Sequence, residues 1–73
     1  METIKISTEY IKLDSLLKFS GVAVTGGDAK LLVTEGKVML NGEICTQRGK
    51  KVRPGDTVKC ADKSFKIEAE NVH

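Results

Sequence analysis

A chain of 73 residues, 40% hydrophobic and 30% charged, is the length of one domain with a single modest core; chains near this size bury roughly 60% of their unfolded surface. That leaves no volume for a deep catalytic cleft beside the core, and the composition is that of neither a disordered chain nor a membrane protein. Net charge is only +2, yet it is unevenly placed: from Lys30 to Lys63 eight basic residues stand against four acids, while the flanking segments are net acidic.

Thr3 to Ile6 alternates, with Ile4 and Ile6 on one side, and reads as a short opening strand. In "YIKLDSLLKFSG" the period changes. Leu13, Leu16 and Leu17 fall at i, i+3 and i+4, the spacing of one apolar helix face, and Gly21 is placed to end that helix. A linker, Val22 to Gly26, leads to a second helical pattern in Ala29, Leu32 and Val33, with Gly27 or Asp28 as the expected N-cap, Lys30 in the first turn and Gly36 at the close. Helices of two to three turns are marginal alone and need a partner surface.

The following segment supplies it. Val38 to Leu40 runs into Asn41-Gly42, the pair that best tolerates the positive φ angles of a two-residue hairpin turn, and Ile44 to Thr46 returns. "RPGD" specifies a tight turn through Pro54 and Gly55 before a strand at Thr57 to Cys60. A last turn around Asp62-Lys63 precedes an alternating strand with Phe65, Ile67 and Ala69 facing one way. The expected order is β-α-α-β-β-β-β, an α+β domain of two short helices on a small, mostly antiparallel sheet, spanning residues 1–73 as one unit.

Several function classes drop out. Early charges at Glu2, Lys5 and Glu9 interrupt any signal-peptide apolar region, and the longest apolar runs are far short of the roughly 18 residues of a membrane span, so the expected address is cytoplasmic. Cys45 and Cys60 form no CxxC pair and are expected to face the core. The one histidine, His73, is terminal, which removes the usual imidazole base and a thiol–imidazole zinc site. The acids Asp14, Asp28, Asp56 and Asp62 each occupy a cap, turn or helix surface. No catalytic residue, metal or cofactor is expected. "TGGDAK", Thr25 to Lys30, lacks the spacing of a nucleotide-triphosphate loop. As a glycine-rich helix start it still offers backbone N–H groups at Gly26 and Gly27 for a phosphate oxygen, and its plainer role is a tight turn between helices.

Between the two turns lies "NGEICTQRGKKVRPGD", with Arg48, Lys50, Lys51 and Arg53 close together. A cluster on a rigid frame with few nearby acids points to a polyanionic ligand. The segment "KLDSLLKFSGVAVTGGDAKLLVTEGKVMLNGEICTQRGKKVRPGDTV" resembles the alpha-L RNA-binding motif, first known from ribosomal small-subunit protein four and reused in bacterial tyrosyl-tRNA synthetases, pseudouridine synthases and a heat-shock ribosome-binding protein. The likeness covers about Tyr10 to Cys60 and is strongest in Leu13-Asp14 with Leu17, Ala29-Lys30 with Leu32, "EGKVMLNGE" and "VRPGD"; "GGDAK" and "QRGKK" are most similar to its small stand-alone bacterial branch.

The resemblance implies a compact surface that grips structured RNA, ribosomal or transfer RNA, in ribosome assembly or RNA maturation, with ribosomal particles as partners and a monomeric protein. Carried over by position, it implies RNA contacts from Lys12, Lys30, Lys37, Arg48, Lys50, Lys51 and Arg53. Many members have a Ser-Arg pair at the start of the second helix; Gly26-Gly27 stands there instead, which removes a direct phosphate clamp. Aromatics are scarce, and Phe19 and Phe65 are expected in the core, so shape and phosphate recognition outweighs base stacking. The competing readings are an adaptor whose basic face meets an acidic protein or DNA, and a ubiquitin-like sulfur carrier; the latter needs a terminal Gly-Gly, whereas this sequence ends Asn71-Val72-His73.

Overall fold

A computed structural model describes residues 1–70. His73 and the Asn71-Val72-His73 ending, used above against an imidazole base and a carrier terminus, lie outside the described residues. The elements are β1 (Glu2–Ile6), β2 (Ile11–Lys12), α1 (Leu13–Phe19), α2 (Gly26–Thr34), β3 (Val38–Leu40), β4 (Glu43–Ile44), β5 (Lys51–Val52), β6 (Thr57–Cys60) and β7 (Lys63–Ala69). Two helices and a mixed, mostly antiparallel sheet make the expected α+β fold. The two-residue strands β2 and β5 are additions to the expected order.

Five strands form the main sheet in the order β1-β7-β6-β3-β4, and β2 with β5 forms a separate two-stranded ladder. β1 pairs with β7 in parallel, from Glu2↔Phe65 to Ile6↔Ala69. The alternation read from sequence holds for Ile4, Ile6, Phe65 and Ile67, all buried, while Ala69 at the end of its strand is exposed. Leu13, Leu16 and Leu17 have no exposed surface, and they meet Ala29 and Val33 of α2 and Val38, Val52 and Val58 of the strands in one cluster. Each such side chain contributes about 1.5–3 kcal/mol by leaving water, which is how helices this short persist.

The hairpin turns at Asn41-Gly42 with φ of 53° and 85°, placing Leu40 opposite Glu43 as a two-residue turn requires. Its return strand, Glu43–Ile44, is shorter than expected; Thr46 lies beyond it, and Cys45, just past its end, still donates its N–H to Val38 O at 3.0 Å. Gly36, at φ 74°, closes α2: its N–H donates to Val33 O and the Lys37 N–H to Leu32 O, the paired bonds of a left-handed helix stop.

At its start α2 differs from expectation. The N-cap is Thr25, whose Oγ1 accepts from the Asp28 N–H at 3.1 Å, and Gly26 and Gly27 are already helical. A threonine hydroxyl outcompetes glycine here because it satisfies an orphan donor that glycine leaves open. Lys30 therefore begins the second turn, not the first. The last turn also falls one residue early, with Cys60 paired to Lys63 and Ala61 at φ 55°.

Candidate nucleic-acid interface

The basic loop owes its shape to the β2–β5 ladder. Ile11 pairs with Val52 and Lys12 with Lys51. Strand alternation sends Val52 fully into the core with Ile11 half-buried against it, and sends Lys12 and Lys51 outward, directly opposite each other. Like charges facing across a ladder repel. The fold thus sets two like-charged residues in register on one exposed face.

The same loop caps α1. The N-cap residue, Lys12, makes no side-chain cap bond; instead the Leu13 N–H donates to Lys50 O at 2.9 Å and the Asp14 N–H to Arg48 O at 3.0 Å. Orphan donors of the helix start are thus satisfied by the backbone of the cationic loop. A turn from Gln47 O to the Lys50 N–H, 3.1 Å, completes the restraint. The backbone at Arg48 and Lys50 is tied to the helix that carries the largest share of the core, while both side chains are exposed. One residue past β5, the Arg53 N–H donates to Asp56 Oδ2 at 2.9 Å.

Backbone contacts therefore gather Lys12, Arg48, Lys50 and Lys51, with Arg53 continuing the same line of chain. Lys30 lies on α2 and Lys37 at the entry to β3, outside these backbone contacts. Lys37 Nζ lies 3.6 Å from Glu35 Oε2, both side chains more than half exposed, so the pair is screened and its energetic weight small. Around Gly26 and Gly27 the Asp28 and Ala29 N–H groups are taken by Thr25, and the Asp28 carboxylate sits in the first turn. What remains for a phosphate is the N–H groups of the two glycines themselves.

Two aromatic expectations divide. Phe65 is fully buried, but Phe19 is 67% exposed. It is the last residue of α1, and the three buried leucines already define the inward face, which leaves position 19 pointing to solvent. Phe19 is also ~9 Å along the helix axis from the basic loop at the opposite end. Tyr10, which the sequence did not single out, sits next to the ladder with Lys51 Nζ 4.8 Å from its ring centroid, a cation–π contact. The alternation of Tyr10, Ile11 and Lys12 was the available signal, too short to separate from the helix that follows it.

Cys60 is buried as expected, whereas Cys45 is half-exposed at the edge of the core. Burial pushes the Cys60 thiol up from its usual range, opposed by the nearby positive charge of Lys37. Among the described residues, no group of three or more His, Cys, Asp or Glu side chains is placed to hold a metal ion, and no helix is long and apolar enough to cross a membrane.

The family model described as the S4 domain matches residues 4–68, from β1 through β7. The chain belongs to the S4 domain family. This S4 domain is 42% identical over 55 residues to the probable ribosome maturation protein RlbA of Bacillus subtilis, covering 75% of this chain and 78% of that protein. It is 33% identical over 60 residues to the putative RNA-binding protein YbcJ of Escherichia coli, covering 82% and 86% respectively. The solution structure of YbcJ from E. coli, described as revealing an alfaL motif involved in RNA-binding, superposes with a TM-score of 0.73 at 31% identity, over 94% of this chain and 89% of that one. The alpha-L architecture expected from the sequence is the one observed, and the family and these relatives point to a binding protein, not an enzyme.

Proposed function

We propose that this S4 domain binds structured RNA, ribosomal or transfer RNA, through the basic surface built on the β2–β5 ladder, and acts in ribosome maturation or RNA maturation. The observation that carries the reading is the gathering of Lys12, Arg48, Lys50 and Lys51 around the capped start of α1. Cations on a rigid frame suit a ligand recognised through phosphates and 2′-hydroxyls, because A-form RNA hides its base edges in a deep, narrow groove. Arg53 extends this surface, Lys30 and Lys37 flank it, and the Gly26 and Gly27 N–H groups add a phosphate contact at the start of α2. The names of RlbA and YbcJ, a probable ribosome maturation protein and a putative RNA-binding protein, support the same assignment. The protein works as a single monomeric domain in the cytoplasm, on RNA within ribosomal particles.

Binding to a structured ribosomal or transfer RNA fragment, measured across salt, tests this. Each phosphate contact contributes about −0.7 to −0.9 to the slope of log K against log salt. A steep negative slope that flattens in the double variant Lys50→Glu, Lys51→Glu is expected. A salt-independent affinity, an unchanged affinity in the double variant, or equal binding of a matched DNA duplex would overturn the assignment.

A further inference from the structure

A depression of about 250 Å³ lies between the hairpin and the basic loop, walled by Leu40, Glu43, Ile44, Gln47 and Lys50 among others. We propose that it is a pocket for one unpaired guanine of the bound RNA, an inference that rests on the RNA-binding reading above. Ile44 is 64% exposed on β4, the two-residue edge strand of the main sheet, and offers a bare apolar surface beside the cations. A base has an apolar face to lay on it. The volume falls below the ~300 Å³ at which pockets for drug-sized ligands begin, which suits a single base.

The acid selects which base. Glu43 is exposed at the rim of a surface that otherwise favours phosphate, and among the described residues it forms no ion pair, although Lys50 lines the same depression. A carboxylate there opposes phosphate binding and is matched by a ligand edge rich in N–H donors. Guanine presents N1–H and the N2 amino group side by side for the two carboxylate oxygens, and O6 and N7 as acceptors for the Lys50 ammonium, a pairing that basic side chains make widely. Adenine sets an acceptor, N1, beside its amino group, and uracil flanks its one N–H with carbonyls, so both meet the carboxylate with repulsion. The loop wall is preformed, since Gln47 O already accepts from the Lys50 N–H. Within a duplex the guanine edge is occupied, so the nucleotide must be unpaired.

Titration of the protein with each of the four nucleoside 5′-monophosphates, followed by the methyl and amide NMR signals of Ile44, Gln47 and Lys50, tests the pocket. Guanosine monophosphate is expected to shift these signals at roughly 10-fold lower concentration than adenosine monophosphate, the discrimination of one good base contact. Glu43→Gln should abolish that difference, and because Glu43 is exposed its replacement leaves folding intact. Equal shifts from all four nucleotides, no shift from any, or a guanine preference that survives Glu43→Gln would overturn the pocket. A salt-dependent affinity for structured RNA in that case leaves the proposed function standing; loss of both removes the two together.

Discussion

Asn41 and Asp56, fifteen residues apart, bind the two tight turns of the β region to each other: Asn41 Nδ2 donates to Asp56 Oδ1 at 3.1 Å. The other side of the same amide accepts from the Thr57 N–H at 2.9 Å, and the second Asp56 oxygen accepts from the Arg53 N–H. One carboxamide and one carboxylate thus fix both ends of the segment that carries the basic loop. Asn41→Gly keeps the positive φ, removes the side-chain hydrogen bonds and loosens the unfolded chain, so a loss of about 1–2 kcal/mol is expected. Asn41→Ala adds backbone strain and should lose about 1 kcal/mol more. Urea denaturation of the two variants separates these contributions.

The opposed pair Lys12 and Lys51 predicts a trade between stability and binding. Lys12→Gln relieves the repulsion across the ladder and should raise Tm at low salt, an advantage that fades toward 1 M salt, where the Debye length is ~3 Å. In RNA binding the same variant should weaken affinity and reduce the salt slope by about one phosphate contact. A variant that loses affinity without gaining low-salt stability would contradict the arrangement.

Gly27 gives a cleaner test of the helix start. A Cβ built there meets only Thr25 Oγ1, at 3.7 Å, and the residue is helical, so nothing in the fold demands glycine. Gly27→Ala should stabilise the protein by about 0.4–1 kcal/mol through the unfolded chain. If the Gly27 N–H docks a phosphate, the added methyl also lowers RNA affinity; calorimetry and a binding titration on one variant read both effects.

Cys60 predicts an alkaline weakness. Its thiol is raised in the folded state by burial, so the unfolded chain loses its proton first as pH climbs. The folded state then holds more protons than the unfolded one, and stability falls with rising pH. The contribution is fully present below the ordinary thiol range and is lost as pH rises through it toward the folded value. Cys60→Val, which cannot ionise, should show a shallower decline of urea midpoint between pH 8 and 10, values that bracket the usual thiol range.

How far the sequence reaches depends on the range of the interaction. The leucine face of α1 and the Asn41-Gly42 turn follow from neighbours a few residues apart, and both were legible. The β2–β5 ladder joins residues about 40 positions apart through two pairings, Ile11↔Val52 and Lys12↔Lys51, and no local pattern announces it. Phe19 misled because an aromatic was assumed to be inside, although the three leucines had already filled the inward face of a seven-residue helix. Ala61 misled because alanine is a poor occupant of positive φ, which drew the turn toward Asp62. For the site, the sequence puts seven cations forward without saying which are neighbours; the ladder and the backbone bonds to the start of α1 bring Lys12 beside Arg48, Lys50 and Lys51.

The parallel pairing of β1 with β7 has a bearing on how the protein is made. Among the described residues β1 is an edge strand whose one neighbour in the sheet is β7, and the Glu70 N–H donates back to Ile6 O at 2.7 Å. β1 has no partner in the sheet until β7, about 60 residues later in the chain, has been synthesised. The strand that carries Ile4 and Ile6 is thus paired only through a contact of long sequence separation, the kind whose loop-closure cost slows folding.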